Sequence, residues 1–307
     1  MHQTNEMTNS HILLSQFDYF EPASMEEAIG LLAQHGDRAR VLAGGTDLVV
    51  QMKMERVSPR AIVSLAAIPG LCRIEDRDGF LWVGSGATIA AIERDARVRR
   101  RYPSLADACA SFSTTQVQTM GTVGGNLCNG SPAADCAPAL LVAGAEVEIA
   151  GPRGTRRIPL EEFFVGPGRT VLQYGEILTS IALPPSPAAA GSAFLKIGRV
   201  AADVAKASAA VMVVRDGDRI ADCRMAFGSV APTPLRSRRA ERALAGRGFS
   251  KEALAEAAEI ASLEVTPIDD VRSQAWYRRR AVRALVVDAG ALAWERAGAA
   301  DAPIEAV

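Results

Sequence analysis

The chain has 307 residues, of which 49% are hydrophobic and 22% charged, with a formal net charge of -1. That is enough apolar material for two or three packed subdomains and excludes a disordered chain, and the near-zero charge gives no basic field for nucleic acid or an anionic membrane. Three histidines and five scattered cysteines exclude more: no CxxC pair and no Cys/His spacing suits a zinc or iron–sulfur site, so the thiols read as the reduced set of a cytoplasmic protein.

Residues 1–16 form a polar leader expected to be disordered. It contains MHQTNEMTNSH, which lacks the basic-then-apolar layout of a signal peptide. No apolar run approaches the ~18 residues of a membrane span. Ser24 followed by Glu27 is a capping box opening a helix over MEEAIGLLAQH, which Gly36 ends. His35 reads as a helix C-terminal residue, which leaves a Ser-His-Asp triad without a base. Arg40 to Ala43 and Ala61 to Leu65 read as strands of a small α/β unit. Phe80 to Gly84 is a further strand. Thr88 caps a helix to about Arg97, and Pro103-Ser104 opens another to about Phe112. The stretch from Thr119 to Asp135 is too rich in Gly, Asn, Ser and Pro for a regular element. Apolar residues resume at Ala137–Ala143, and Ala145–Ala150 alternates as a strand does. ILTSIAL is a strand that stops at Pro184-Pro185, and Pro184–Ser192 reads as a linker. Ala209–Arg215 and Ile220–Gly228 flank the turn Asp216-Gly217-Asp218 as a hairpin. Ser250 caps an Ala-rich helix, and a long final helix runs from Trp276 to about Ala297.

Two glycine-rich segments carry the functional signal. In Leu42-Ala43-Gly44-Gly45-Thr46-Asp47-Leu48 a strand empties into two glycines, a hydroxyl and a carboxylate. Glycines let backbone N–H groups approach an anion, although a tight turn into a helix N-cap accounts for the same residues. The second segment, Thr119-Met120-Gly121-Thr122-Val123-Gly124-Gly125-Asn126, follows it along the chain. It is neither a Walker A loop nor a Rossmann GxGxxG. Two backbone-donor segments suit a long ligand with two phosphates, such as a dinucleotide. Asn126, Asn129, Ser131 and Asp135 add polar groups for its ribose or base.

The pairing of LAGGTDL with TMGTVGGNLCNGSPAAD resembles the FAD-binding subunit of molybdenum hydroxylases. The likeness continues through Gly175-Glu176-Ile177-Leu178, Phe194 to Arg199 and Asp203-Val204-Ala205. The resemblance implies an α+β protein: a vanillyl-alcohol-oxidase-type fold of two α/β subdomains (17–66 and 67–185), a C-terminal α+β domain (192–297) and a tail (298–307). It implies non-covalent FAD, since no histidine lies in the motifs, and no catalytic acid, base or metal in this chain. By position, Ala43 to Asp47 wrap the pyrophosphate, and Leu42, Leu48, Thr119, Gly121 and Ala134 join the cofactor-binding set. Thr122, Gly124, Gly125 and Asn126 make the second set of contacts. Asn129 and Asp135 face ribitol or ribose, Ile177 and Leu178 pack near the adenine or flavin, Lys196 lies near the isoalloxazine and Val204 over one flavin face. Cys128 reads as a buried, inert thiol. Gln118-Thr119 stand where Arg-Asn is usual and Val200 where a second basic residue is, which leaves the subfamily open. The implied complex is a heterotrimer, paired into a dimer. A small [2Fe-2S] subunit and a large molybdopterin subunit pass electrons through this chain to an external acceptor. A self-contained FAD oxidase and a non-catalytic nucleotide-binding module are the alternatives.

Overall fold

The first unit is a small parallel α/β layer. It comprises β1 (Asp18–Phe20), α1 (Met25–His35), β2 (Ala39–Leu42), α2 (Leu48–Lys53) and β3 (Ala61–Ser64). β3 lies between β1 and β2 and runs parallel to both. These elements come from a computed structural model that describes residue 13 and residues 15–299. Most of the expected disordered leader and most of the expected tail therefore lie outside the described residues. At the start of α1, Ser24 Oγ accepts the Glu27 N–H at 3.2 Å. The return bond runs from the Ala23 N–H to Glu27 Oε2 at 2.9 Å, one residue earlier than a standard capping box. Ala28 and Leu32 then face Ala61 and Val63 of the sheet.

The second unit is an antiparallel sheet backed by helices. In chain order it has β4 (Ile74–Arg77), β5 (Phe80–Gly84), α3 (Ile89–Arg94), α4 (Ala96–Arg101), α5 (Pro103–Ala110), α6 (Thr115–Met120), α7 (Val123–Cys128) and α8 (Cys136–Ala143). β6 (Glu146–Gly151), β7 (Gly154–Pro159), β8 (Phe164–Gly166), β9 (Arg169–Thr170) and β10 (Ile177–Leu183) complete it. The sheet order is β4-β5-β10-β6-β7. The helix expected from Thr88 to about Arg97 breaks at Asp95. That carboxylate accepts the N–H groups of Arg97 and Val98 and starts α4 afresh. Hydrogen bonds from Arg97 hold the Asp95 carboxyl below the usual range. The expectation that Thr119 to Asp135 holds no regular element is corrected. α6 ends inside it and α7 lies wholly within it, because the Thr114 and Thr122 hydroxyls cap the two helices. Nearly every residue of α8 is buried. It therefore has no polar face, and its sequence no helical period.

The third unit holds β11 (Ala190–Ile197), β12 (Ala207–Asp216), β13 (Arg219–Gly228), β14 (Leu235–Arg236), α9 (Arg238–Leu244), α10 (Lys251–Glu264) and α11 (Ala275–Ala299). Its antiparallel sheet follows that order. β11 begins inside the expected linker, since Ala190, Gly191 and Ser192 pair with β12. Side chains alternate across this sheet. Ala193, Val211 and Val213 pack with α10 and α11, whereas Phe194, Ala210 and Met212 join the core of the second unit. The sheet is buried on both faces, so the second and third units share one apolar interior. The described protein is α+β throughout.

Arg296, near the end of α11, ties the two units together. Its guanidinium grips Asp107 of α5 at 2.6 and 3.1 Å and also donates to the Ser192 carbonyl at 2.7 Å. Asp107 in turn accepts the Phe194 N–H at 3.1 Å. The pair is partly exposed, so Arg296→Ala is expected to cost about 1–2 kcal/mol of unfolding free energy. Urea denaturation checks this; a midpoint equal to wild type would show that the tie contributes nothing.

Candidate functional site

β2 delivers the first glycine segment to the edge of the parallel layer, and α6 and α7 deliver the second segment opposite it. The two meet backbone to backbone. A Cβ built on Gly44 would lie 1.8 Å from the Met120 carbonyl oxygen, and one on Gly124 would lie 2.6 Å from Ser85. These glycines are needed because main chain packs on main chain. Gly125 differs: its Cβ would meet only the Thr122 hydroxyl, at 3.1 Å.

Between the segments lies a cleft with about 1070 Å³ of non-protein space, open to solvent. Ala43, Gly44, Gly45, Thr46, Asp47 and Leu48 line one side. Gly121, Thr122, Gly124, Gly125, Asn126 and Asn129 line the other, and Ile177 and Leu178 of β10 lie beside them. Seven expected residues lie off this lining, among them Ser131, whose hydroxyl accepts the Ala133 N–H at 3.1 Å. Leu42 ends β2. The Thr119 hydroxyl donates back to the Gln116 carbonyl at 2.9 Å. Ala134 is buried in the core of the second unit. Val204 is exposed on the loop between β11 and β12. Asp135 and Lys196 pair with each other.

That pair is buried. Lys196 Nζ lies 2.9 Å from Asp135 Oδ2, with side-chain exposures of 6% and 10%. Lys196 is thus no surface lysine; it joins β11 to the end of the second segment. Burial pushes the Asp135 carboxyl up, and the Lys196 ammonium opposes that rise. The other carboxylate oxygen, Asp135 Oδ1, has no partner.

The two segments differ as donors. Among the described residues, the N–H groups of Gly44, Gly45, Thr46 and Asp47 donate to no protein acceptor. In the second segment most donors are spent: Val123 on the Ala87 carbonyl, Gly124 on Ser85, Gly125 on the Thr122 hydroxyl and Asn126 on the Thr122 carbonyl, while the Thr122 N–H donates to no protein acceptor among the described residues. Capping and close packing consume the first-turn N–H groups of α7, so the second segment keeps fewer free backbone donors beside the cleft than the first. Backbone donation to an anion therefore falls chiefly to the first segment, while the second contributes the Thr122 N–H and side chains.

The lining includes residues the sequence reading did not single out: Arg40, Gln51, Ser85, Phe112 and Glu176 among them. Ser85 sits in Gly84-Ser85-Gly86, directly after a strand, and that was a legible signal. Nothing local marks Gln51. Its amide reaches Asn129 Oδ1 at 3.5 Å, a long bond between the segments. Ser85 Oγ and Asn126 Oδ1 are buried with no partner, so the lining holds polar atoms that a ligand can satisfy.

Asp47 precedes α2 without capping it, and burial pushes its carboxyl up. Burial also pushes the Cys128 thiol up, to about 12. The described residues contain no His/Cys/Asp/Glu cluster suited to a metal, and no helix among them is long and apolar enough to cross a membrane. Cys72 is exposed. Brief iodoacetamide treatment of the native protein near pH 8 is expected to label Cys72 and spare Cys128. Peptide mass spectrometry reads the result, and early labelling of Cys128 would contradict its protected state.

Residues 15–186 match the family of the FAD binding domain in molybdopterin dehydrogenase. Residues 192–291 match the CO dehydrogenase flavoprotein C-terminal domain. The chain is 33% identical over 282 residues to the carbon monoxide dehydrogenase medium chain of Hydrogenophaga pseudoflava, covering 92% of this chain and 98% of that one. It is 34% identical over 272 residues to the xanthine dehydrogenase FAD-binding subunit of Escherichia coli O157:H7, covering 87% and 92%. A solved structure of the Hydrogenophaga pseudoflava carbon monoxide dehydrogenase, in a form lacking the Mo-pyranopterin moiety of its cofactor, superposes with a TM-score of 0.90. It shares 33% identity over 93% of this chain and 99% of that chain. The cleft and its matches define an FAD-binding oxidoreductase subunit. The chain belongs to the molybdenum hydroxylase family, as a medium subunit of the type found in carbon monoxide and xanthine dehydrogenases.

Proposed function

We propose that this chain is the electron-transfer subunit of a cytoplasmic, heterotrimeric molybdenum hydroxylase. It takes electrons from the [2Fe-2S] clusters of a small subunit and delivers them to an external acceptor. A large molybdopterin subunit carries out the hydroxylation, and two heterotrimers pair. The observation that supports this most is the run of unused N–H groups from Gly44 to Asp47, facing the unpartnered Ser85 and Asn126 across one cleft.

These residues fit FAD. FAD, when bound, supplies the electron-accepting and electron-donating chemistry, so the chain needs no nucleophile or general base of its own. Gly44 to Asp47 hold the pyrophosphate through main-chain donors, with Leu42, Ala43 and Leu48 shaping that turn. Ser85 and Thr122 offer hydroxyls, and Asn126 and Asn129 offer amides to the sugar-like portion. Gly121, Gly124 and Gly125 keep the second wall thin. Ile177 and Leu178 give an apolar floor, and Thr119, Ala134 and Val204 support the rim. Lys196 and Asp135 neutralise one another, which fixes β11 against the second segment without leaving a bare charge in a buried place.

Purified protein tests this reading. Flavin co-purifying with the chain, and bleached by substrate only when the partner subunits are present, supports it. Bleaching by substrate with the chain alone establishes a self-contained oxidase instead. Two variants test the placement. Gly125→Val is expected to abolish flavin retention, because its side chain projects into the cleft. Ser85→Ala is expected to weaken FAD binding about 3–10-fold, the worth of one hydrogen bond, with thermal stability of the apoprotein unchanged. Fluorescence titration with FAD measures both, and wild-type affinity in either variant would remove that residue from the site.

A further inference from the structure

The unused N–H groups of Gly44 to Asp47 make the first segment a cradle for an anion, yet the last of them belongs to an aspartate. The Asp47 side chain does not cap α2. Covalent geometry keeps a carboxyl carbon within about 4 Å of its own amide nitrogen. An anion that accepts the Asp47 N–H therefore lies within about one Debye length, ~8 Å, of the Asp47 carboxyl. Ionised at that distance, the side chain repels the very ligand that its backbone binds.

Among the described residues, no cation is placed to relieve this repulsion. Arg40, on β2, turns its guanidinium to the Asp37 and Ala39 carbonyls, both at 2.7 Å. Glu176 is matched by Arg156 of β7 at 2.9 Å, so that pair adds no net charge. Lys53 stands at the far end of α2. The helices opposite, α6 and α7, carry no charged residue, and the Cys128 thiol is pushed up to about 12 and stays neutral. His35 packs on Phe20 of β1, and Asp135 is matched by Lys196 off the lining. Burial pushes the Asp47 carboxyl up, and no neighbouring charge contributes. Asp47 nevertheless remains exposed along the cleft. A ligand that fills the cleft takes this solvent away and disfavours the ionised form further. A neutral carboxyl, in contrast, has an O–H to donate to a phosphate oxygen, which replaces repulsion with a charge-assisted hydrogen bond.

We propose that Asp47 binds a proton when the first segment holds a pyrophosphate, so that FAD is taken up together with a proton and is held more tightly as the pH falls. The proposal rests on the placement of the FAD pyrophosphate at Gly44 to Asp47 given above. A divalent cation bridging carboxylate and phosphate is the competing way to settle the same charges, but the described residues offer no cluster of ligating side chains to share it. With FAD bound, Asp47 titrates at a higher pH than without it. Below both titrations the carboxyl is neutral in both states and the affinity is level. Between them each pH unit weakens binding by up to about tenfold, and above both the affinity levels again.

The test is calorimetric titration of the full-length, flavin-free chain with FAD from about pH 5 to about pH 8.5. Paired buffers of different ionisation enthalpy count the protons, and EDTA is present throughout. Within the coupled range, proton uptake is expected to approach one per FAD while the dissociation constant rises up to about tenfold per pH unit. Asp47→Asn is expected to bind FAD at least as tightly as wild type at the upper pH, and to lose both the uptake and the pH dependence. A wild-type affinity that is flat with pH, without proton uptake, would overturn the proposal with no variant needed. So would an Asp47→Asn chain that keeps the coupling, or one of unchanged apoprotein melting temperature that binds FAD more weakly at every pH. Coupling that appears only when magnesium replaces EDTA would assign the role to a cation instead and overturn it equally. A wild-type chain that binds no FAD at any pH would overturn the placement of FAD in the cleft, on which the proposal rests.

Discussion

The site depends on a contact between two stretches of main chain. Gly44 lies against the Met120 carbonyl so closely that no side chain fits between them. That contact brings a parallel α/β layer and an antiparallel sheet with its helices to the two sides of one cleft. Each glycine segment would be an ordinary turn without the other. Packed together, they divide the work. The first keeps the N–H groups of Gly44 to Asp47 unused, and the first turn of α7 in the second spends its own on Ala87, Ser85 and Thr122 to hold a short glycine-containing helix in place. The asymmetry has a simple cause: a helix capped by its own threonine and docked on a neighbouring turn has no spare donors in its first turn, whereas the loop entering α2 does.

The third unit is attached by burial as much as by polar ties. Its sheet contributes Phe194, Ala210 and Met212 to the interior of the second unit and Ala193, Val211 and Val213 to its own helices. The Lys196–Asp135 and Arg296–Asp107 pairs lie along that boundary. The first is buried and the second partly exposed, so removing one partner costs more at Lys196 than at Arg296. A cofactor bound in the cleft is therefore held in a frame whose second wall is braced from behind by the C-terminal sheet.

The scarcity of histidine and the scattering of cysteine fit a chain whose cofactor supplies the redox chemistry. The cleft is lined by glycines, hydroxyls, amides and aliphatic side chains, and its one thiol, Cys128, is shifted far from the reactive range. Its ionisable lining residues, Arg40, Asp47 and Glu176, are few. Such a lining is suited to binding and shielding a cofactor that carries the chemistry itself.

Much of this was legible in the chain itself. Caps, turns and alternation are local: Ser24, Thr88 and Ser250 mark helix starts, Asp216-Gly217-Asp218 marks the hairpin, and ILTSIAL matches β10 residue for residue. The order of the glycine motifs pointed to the family for the same reason, since each motif is a short run of backbone with its own requirements. Other features were decided only by the tertiary structure. α8 carries no period because it is buried on all sides, and α7 forms in a glycine-rich stretch because Thr122 caps it and Ser85 packs on it. β11 starts within a linker-like run because β12 offers it a ladder. Lys196 and Asp135, 61 residues apart, meet only because β11 is packed against the second unit. Sequence specifies what each segment can do alone; which glycine faces a neighbour and which faces the cleft depends on what lands opposite it.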